Sequence, residues 1–128
     1  MKFFLDNMIS HRFAKALVAL DKDVVSLREY FEPSTPDIVW LEELGRKGWP
    51  LITADKRIRS RPQERAILKS AHLTTFFLGR FFLKMHYWDQ AVWLIRRWPR
   101  IEETARSFTR SVHFSVQQSG KMTPLPPT

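Results

Sequence analysis

Cysteine is absent from this 128-residue chain. Disulfides, thiolate metal sites and a cysteine nucleophile are therefore excluded, and a cytoplasmic location is the expected one. No apolar run approaches the ~20 residues that a membrane-spanning helix needs. The greasiest stretch, Phe76 to Leu83, is short and broken by Gly79 and Arg80. Asp6 and Asn7 come too early for the apolar segment of a secretory leader. Zinc spacing is missing among His11, His72, His86 and His113. Acids are scarce as well: 13 Asp and Glu face 21 Lys and Arg, a formal charge of +8. Such an imbalance favours a polyanionic partner, nucleic acid first, with an acidic protein or membrane surface as alternatives.

What is present suits one globular domain: 44% hydrophobic and 27% charged residues in a chain long enough for a sizeable core. Short apolar runs alternate with helical periodicity. Lys2–Leu5, Val24–Leu27, Pro50–Thr53, Leu73–Phe77 and Val112–Val116 read as strands. His11–Leu20, capped by Ser10, reads as a helix through Phe13, Ala16, Leu17 and Leu20. Glu29–Pro36 is expected to be a loop, and Thr35-Pro36-Asp37 opens a helix that Gly48 ends, with Ile38, Leu41 and Leu44 facing inward. A basic turn over Ile58–Pro62 and a short helix over Gln63–Ser70 follow. Tyr87–Trp98 and Arg100–Ser107 are expected as two helices separated by Pro99. Gln117 to Thr128 reads as a loose, proline-containing tail. Strands alternating with helices predict an α/β fold: a mainly parallel sheet covered on both faces.

Two of the predicted strands end on acids, Asp6 and, just past Thr53, Asp55. Asp37 opens a helix beyond a third. In a parallel sheet such positions share the carboxyl edge, where open α/β folds hold ligands. Close carboxylates repel unless a cation lies between them. Without sulfur donors, that cation is Mg²⁺ or Mn²⁺, held by carboxylates, waters and phosphates. Taken singly, each acid has a structural reading too: Asp37 at a helix dipole, Asp55 capping the turn at Lys56-Arg57, and Asp6 starting the first helix.

The segments Phe4-Leu5-Asp6-Asn7, Pro36-Asp37 with Trp40-Leu41, and Gly48-Trp49-Pro50-Leu51-Ile52-Thr53-Ala54-Asp55-Lys56-Arg57-Ile58 together resemble the PIN-like domains. The nearest resemblance is to the compact branch of VapC-type toxin ribonucleases. It covers roughly the first 80 residues and continues more weakly to the last strand. It implies a PIN-like three-layer nuclease domain over residues 1–117, a flexible tail over 118–128, and a metal-dependent, single-strand-specific endoribonuclease. Asp6, Asp37 and Asp55 would match the family's catalytic, metal-holding acids, with Asn7 and Glu64 in support and Glu29 as another candidate fourth acid. A cognate antitoxin and a homodimer are further implied. The family's usual Glu on an inserted helical segment has no clear counterpart, because the link from Asp6 to Asp37 is short.

Arg12, Lys56, Arg57, Arg59 and Arg61, with Arg65 nearby, are candidates to grip RNA phosphates, or else form a solvated basic turn. Tyr87, Trp88, Trp93 and Trp98 suit stacking on bases, but their helical spacing favours core or subunit contacts. Two other classes compete with the nuclease reading. One is an inactive PIN-like module that binds nucleic acid or protein. The other is a phosphatase or receiver domain, which needs paired acids that Asp6-Asn7-Met8 does not offer.

Overall fold

A computed structural model describes residues 1–108 and 112–125 of the chain. The elements run β1 (Phe3–Leu5), α1 (His11–Ala19), β2 (Val24–Ser26), α2 (Leu27–Tyr30), α3 (Asp37–Lys47), β3 (Leu51–Thr53), α4 (Arg57–Ser60), α5 (Pro62–Ser70), β4 (Thr75–Leu78), α6 (Arg80–Lys84), α7 (Tyr87–Arg106), β5 (His113–Val116) and β6 (Met122–Pro124). They form one sheet of order β2-β1-β3-β4-β5-β6. The first five strands are parallel, and β6 is antiparallel to β5.

Alternation along each strand divides the interior into two cores, because successive side chains point to opposite faces of a sheet. Phe3, Leu5, Ile52, Phe76, Leu78, Phe114 and Val116 lie in one core with Phe13 and Leu17 of α1 and Trp93, Leu94, Trp98 and Ile101 of α7. Phe4, Leu51 and Phe77 lie in the other with Trp40, Leu41 and Leu44 of α3, Ile58 of α4 and Leu68 of α5. Covering on both faces explains why the central strands are apolar without a break. The result is the expected α/β three-layer fold.

Local signals set some element ends. The Ser10 hydroxyl accepts from the Arg12 amide at 3.2 Å and caps α1. Gly48 takes φ 69° at the end of α3, the left-handed conformation that a residue without Cβ adopts cheaply. Gly45 lets α3 approach the segment after α5, since an added Cβ would fall 2.7 Å from the Ala71 Cβ.

Several expectations need correction. The expected loop at Glu29–Pro36 begins inside α2, a single turn started where the Ser26 hydroxyl donates to Glu29 at 2.7 Å. Pro36, not Thr35, is the cap residue of α3 and supplies no side-chain bond. The basic turn after Asp55 is a helical turn, α4. β4 begins at Thr75, where pairing to Leu51 and His113 starts, although Leu73 is buried ahead of it. Pro99 does not divide α7, which runs unbroken from Tyr87 to Arg106. Proline removes one backbone donor, but Trp98, Ile101 and Ala105 carry the buried stripe across it, and packing outweighs the missing bond. The segment expected as a loose tail turns back at Gly120 and pairs Phe114, Ser115 and Val116 with residues 122–124. Pro126 to Thr128 lie outside the described residues.

Candidate active site

The chain passes from β1 to its neighbour β2 and then returns to the other side of β1 as β3. Between β1 and β3 the winding direction reverses, and the crevice at such a switch point is where open α/β sheets bind ligands. Asp6 leaves the end of β1 and Asp55 follows β3, so both carboxylates stand at this reversal.

Thr53 joins them. Its buried hydroxyl donates to Asp6 Oδ2 and accepts the Asp55 backbone N–H at 2.9 Å. One side chain thus fixes both acids, which is the physical content of the Thr-x-Asp segment. The other Asp6 oxygen accepts the Met8 amide at 3.0 Å. Asp6 is only 3% exposed. Burial pushes its carboxyl up to about 7; the Thr53 and Met8 bonds work against this, while the nearby Asp55 and Asp37 charges add to it.

Asp55 is in a different state. Arg57 Nε and Nη2 reach its two oxygens at 2.9 and 3.0 Å, and the Arg57 amide donates to Oδ1 at 3.0 Å. Burial acts to raise this carboxyl, but the bonds and charge of Arg57 outweigh it and hold the group below the usual range. Arg57, a candidate from sequence to grip RNA, places its fork on Asp55 and offsets that charge. Asp37 heads α3, is half-buried, and accepts from Trp40 Nε1 at 3.1 Å.

A cavity of about 460 Å³ opens at this edge, with Asp6, Asn7, Ser26, Arg28, Glu32 and Asp37 among its lining. Of the three aspartates, Asp6 and Asp37 face it and Asp55 does not. Glu64 is buried on α5 one turn before Leu68, away from the cavity lining, and Glu29 is bonded to Ser26. Glu32 was not singled out from sequence. Its only signal was a place between β2 and α3, on the same edge as the acids. Arg12 is exposed beside the cap of α1 and does not line the cavity, while Lys56 and Arg59 line a second one. Among the aromatics, Trp93 and Trp98 are core, whereas Tyr87 is 50% and Trp88 75% exposed.

A family model described as a PIN like domain matches residues 1–80. The chain belongs to the PIN-like domain family. No curated protein and no solved structure gives a significant match. PIN domains are in general nucleases, hydrolases that use divalent metal ions. The donor chemistry of this PIN-like chain fits such an ion in part. Asp6 and Asp37 offer an all-oxygen pair at one cavity, and the Asp6 carboxyl is driven up to about 7 chiefly by its burial. Mg²⁺ needs only one or two carboxylates when waters and phosphates complete its shell. A full cluster is not assembled: among the described residues no three His, Asp or Glu side chains stand close enough to hold a metal together. Asp55, the third aspartate, is engaged by the Arg57 fork.

Proposed function

We propose that this PIN-like chain is a metal-dependent endoribonuclease that hydrolyses single-stranded RNA at the Asp6–Asp37 cavity. The observation that carries the reading is the buried Asp6 carboxyl, desolvated and pressed by two like charges at a sheet's switch point. Structural carboxyls are seldom left in that condition, and functional ones often are.

Asp6 and Asp37 would hold Mg²⁺ or Mn²⁺, which supplies a polarising charge on the phosphate and offsets charge on the leaving oxygen. Thr53 keeps Asp6 aimed at the cavity. Asn7, exposed on its wall, orients the attacking water through its amide. Glu32 supplies a further acid to the wall, the place for which Glu29 and Glu64 were candidates. Asp55 joins the acidic set when Arg57 exchanges its carboxylate for a substrate phosphate, an equally good partner for a guanidinium fork. Arg12 and Arg61 add positive charge around the approach, Arg61 being close enough to act on Asp55. By its resemblance the chain is the toxin of a bacterial toxin–antitoxin module, paired as a homodimer and silenced by an antitoxin that covers the cavity.

The saturation of Asp55 by Arg57 favours a second reading, a PIN-like module that binds RNA or protein without cutting it. A mixed single-stranded RNA pool incubated with pure protein in Mg²⁺, Mn²⁺ or EDTA separates the two. The nuclease reading expects cleavage with either metal, none in EDTA, and at least a 100-fold loss in Asp37→Asn. No cleavage in any lane leaves the binding module as the better account. Equal cleavage in every lane points to contamination or to another mechanism.

A further inference from the structure

A second cavity, of about 530 Å³, is lined by Lys56, Arg59, Ser60 and Arg65, which follow Asp55 closely in the chain. Lys56 and Arg59 are three residues apart across α4 and so share one face. Arg65 reaches the cavity from α5. No acid lines it, and Glu64, the neighbour of Arg65, is turned inward with Leu68. Among the described residues none of the three cations lies within 4.0 Å of a carboxylate. Other bases of the chain are paired, among them Arg57 with Asp55, Lys22 and Arg106 with Glu102, and Arg46 and Lys47 with Glu43, but what marks these three is that they line one cavity together.

Three like charges converging on one concavity repel one another, and an anion entering it relieves that repulsion. The Ser60 hydroxyl adds a neutral donor of the kind that accompanies Arg and Lys on phosphate oxygens. We infer that this cavity is a phosphate-binding site for single-stranded RNA that works without a divalent ion. It holds a stretch of the strand outside the Asp6–Asp37 cavity, with which it shares no lining residue. Asp55 and Arg57, paired with each other, line neither this cavity nor the acidic one. The inference takes from the proposed function only the identity of the strand.

The test is fluorescence anisotropy with a labelled, mixed-sequence 12-residue single-stranded RNA and the full wild-type chain in EDTA. Binding is expected there, because no acid in this cavity needs a metal to bridge it to phosphate. The Lys56→Gln/Arg59→Gln/Arg65→Gln variant should bind at least tenfold more weakly. Its log affinity should also fall less steeply with log salt, by about 0.7 for each phosphate that the variant no longer neutralises. A control with the same charge removed elsewhere, Lys15→Gln/Lys84→Gln/Arg100→Gln, should lose less than about threefold. These side chains are exposed, and thermal melts of both variants show whether the fold is intact; Arg59→Gln alone, expected to lose about threefold, serves if the triple variant melts early. Equal losses in the two triple variants would mean net charge alone is responsible and overturn the site. So would wild-type binding that disappears in EDTA. Binding that behaves as expected in a chain that never cuts RNA would sink the nuclease reading and leave this site standing.

Discussion

Asp6 is held by two hydrogen bonds and has almost no water, so its charge is the costly part of the arrangement. The folded state binds its proton more tightly than the unfolded chain, whose carboxyl titrates near 3.8. The stability tied to this proton is therefore fully present below pH 3.8 and lost as the pH rises to about 7. In EDTA, between pH 5 and 8, this amounts to roughly 2–3 kcal/mol. Asp6→Asn removes the charge, so urea melts of the variant should lack that part of the decline and show the variant gaining on wild type toward pH 8. Parallel curves for the two proteins would mean that Asp6 is solvated in solution. At this scale the sequence was informative where the backbone dictated the outcome. Asp6 and Asp55 follow short apolar runs, and Thr53 sits two residues before Asp55, within reach of its amide. It was silent on Arg57, whose side chain had two destinations, phosphate or Asp55, and nothing local to choose between them. Glu32 was missed because a loop residue has no periodicity to say which way it faces.

Gly48 illustrates the element scale. Nothing lies within 4 Å of where its Cβ would be, yet its φ is +69°. Gly48→Ala should thus cost only the backbone strain of a left-handed residue, about 1 kcal/mol, with no change in packing. A thermal melt measures this, and an unchanged midpoint would show that α3 can end another way. The same glycine was readable as a helix stop, because the local conformation alone demands it. Pro99 was misread as a break for the opposite reason. Local rules disfavour proline within a helix, but Trp98, Ile101 and Ala105 are buried by contacts distant in sequence. β6 was missed because a three-residue strand ending in proline has little propensity of its own. It exists through the turn at Gly120 and pairing with β5, and as an edge strand it tolerates Pro124.

Across the whole molecule, function depends on topology more than on any one segment. Asp6, Asp37 and Asp55 come from three stretches, and only the order β2-β1-β3, with every strand parallel, brings them to one edge. The alternation of strands and helices made that edge foreseeable, since right-handed parallel connections leave few other arrangements. The separation of a cavity that holds Asp6 and Asp37 from one lined by bases could not be read in advance, because it rests on side-chain directions across α2, α4 and α5. The excess charge of +8 is spread over the chain in sequence, but the basic cavity gathers three of its cations without an acid.

The central claim is that carboxylates from separate segments act as one hydrolytic unit, and non-additivity tests it most directly. Single-turnover RNA cleavage in Mn²⁺ should be compared for wild type, Asp6→Asn, Asp37→Asn and the double variant. Groups that serve one transition state fail together, so each single variant should fall at least 100-fold and the double variant no further than the worse single one. Full activity in either single variant, or losses that simply multiply in the double, would contradict a shared site.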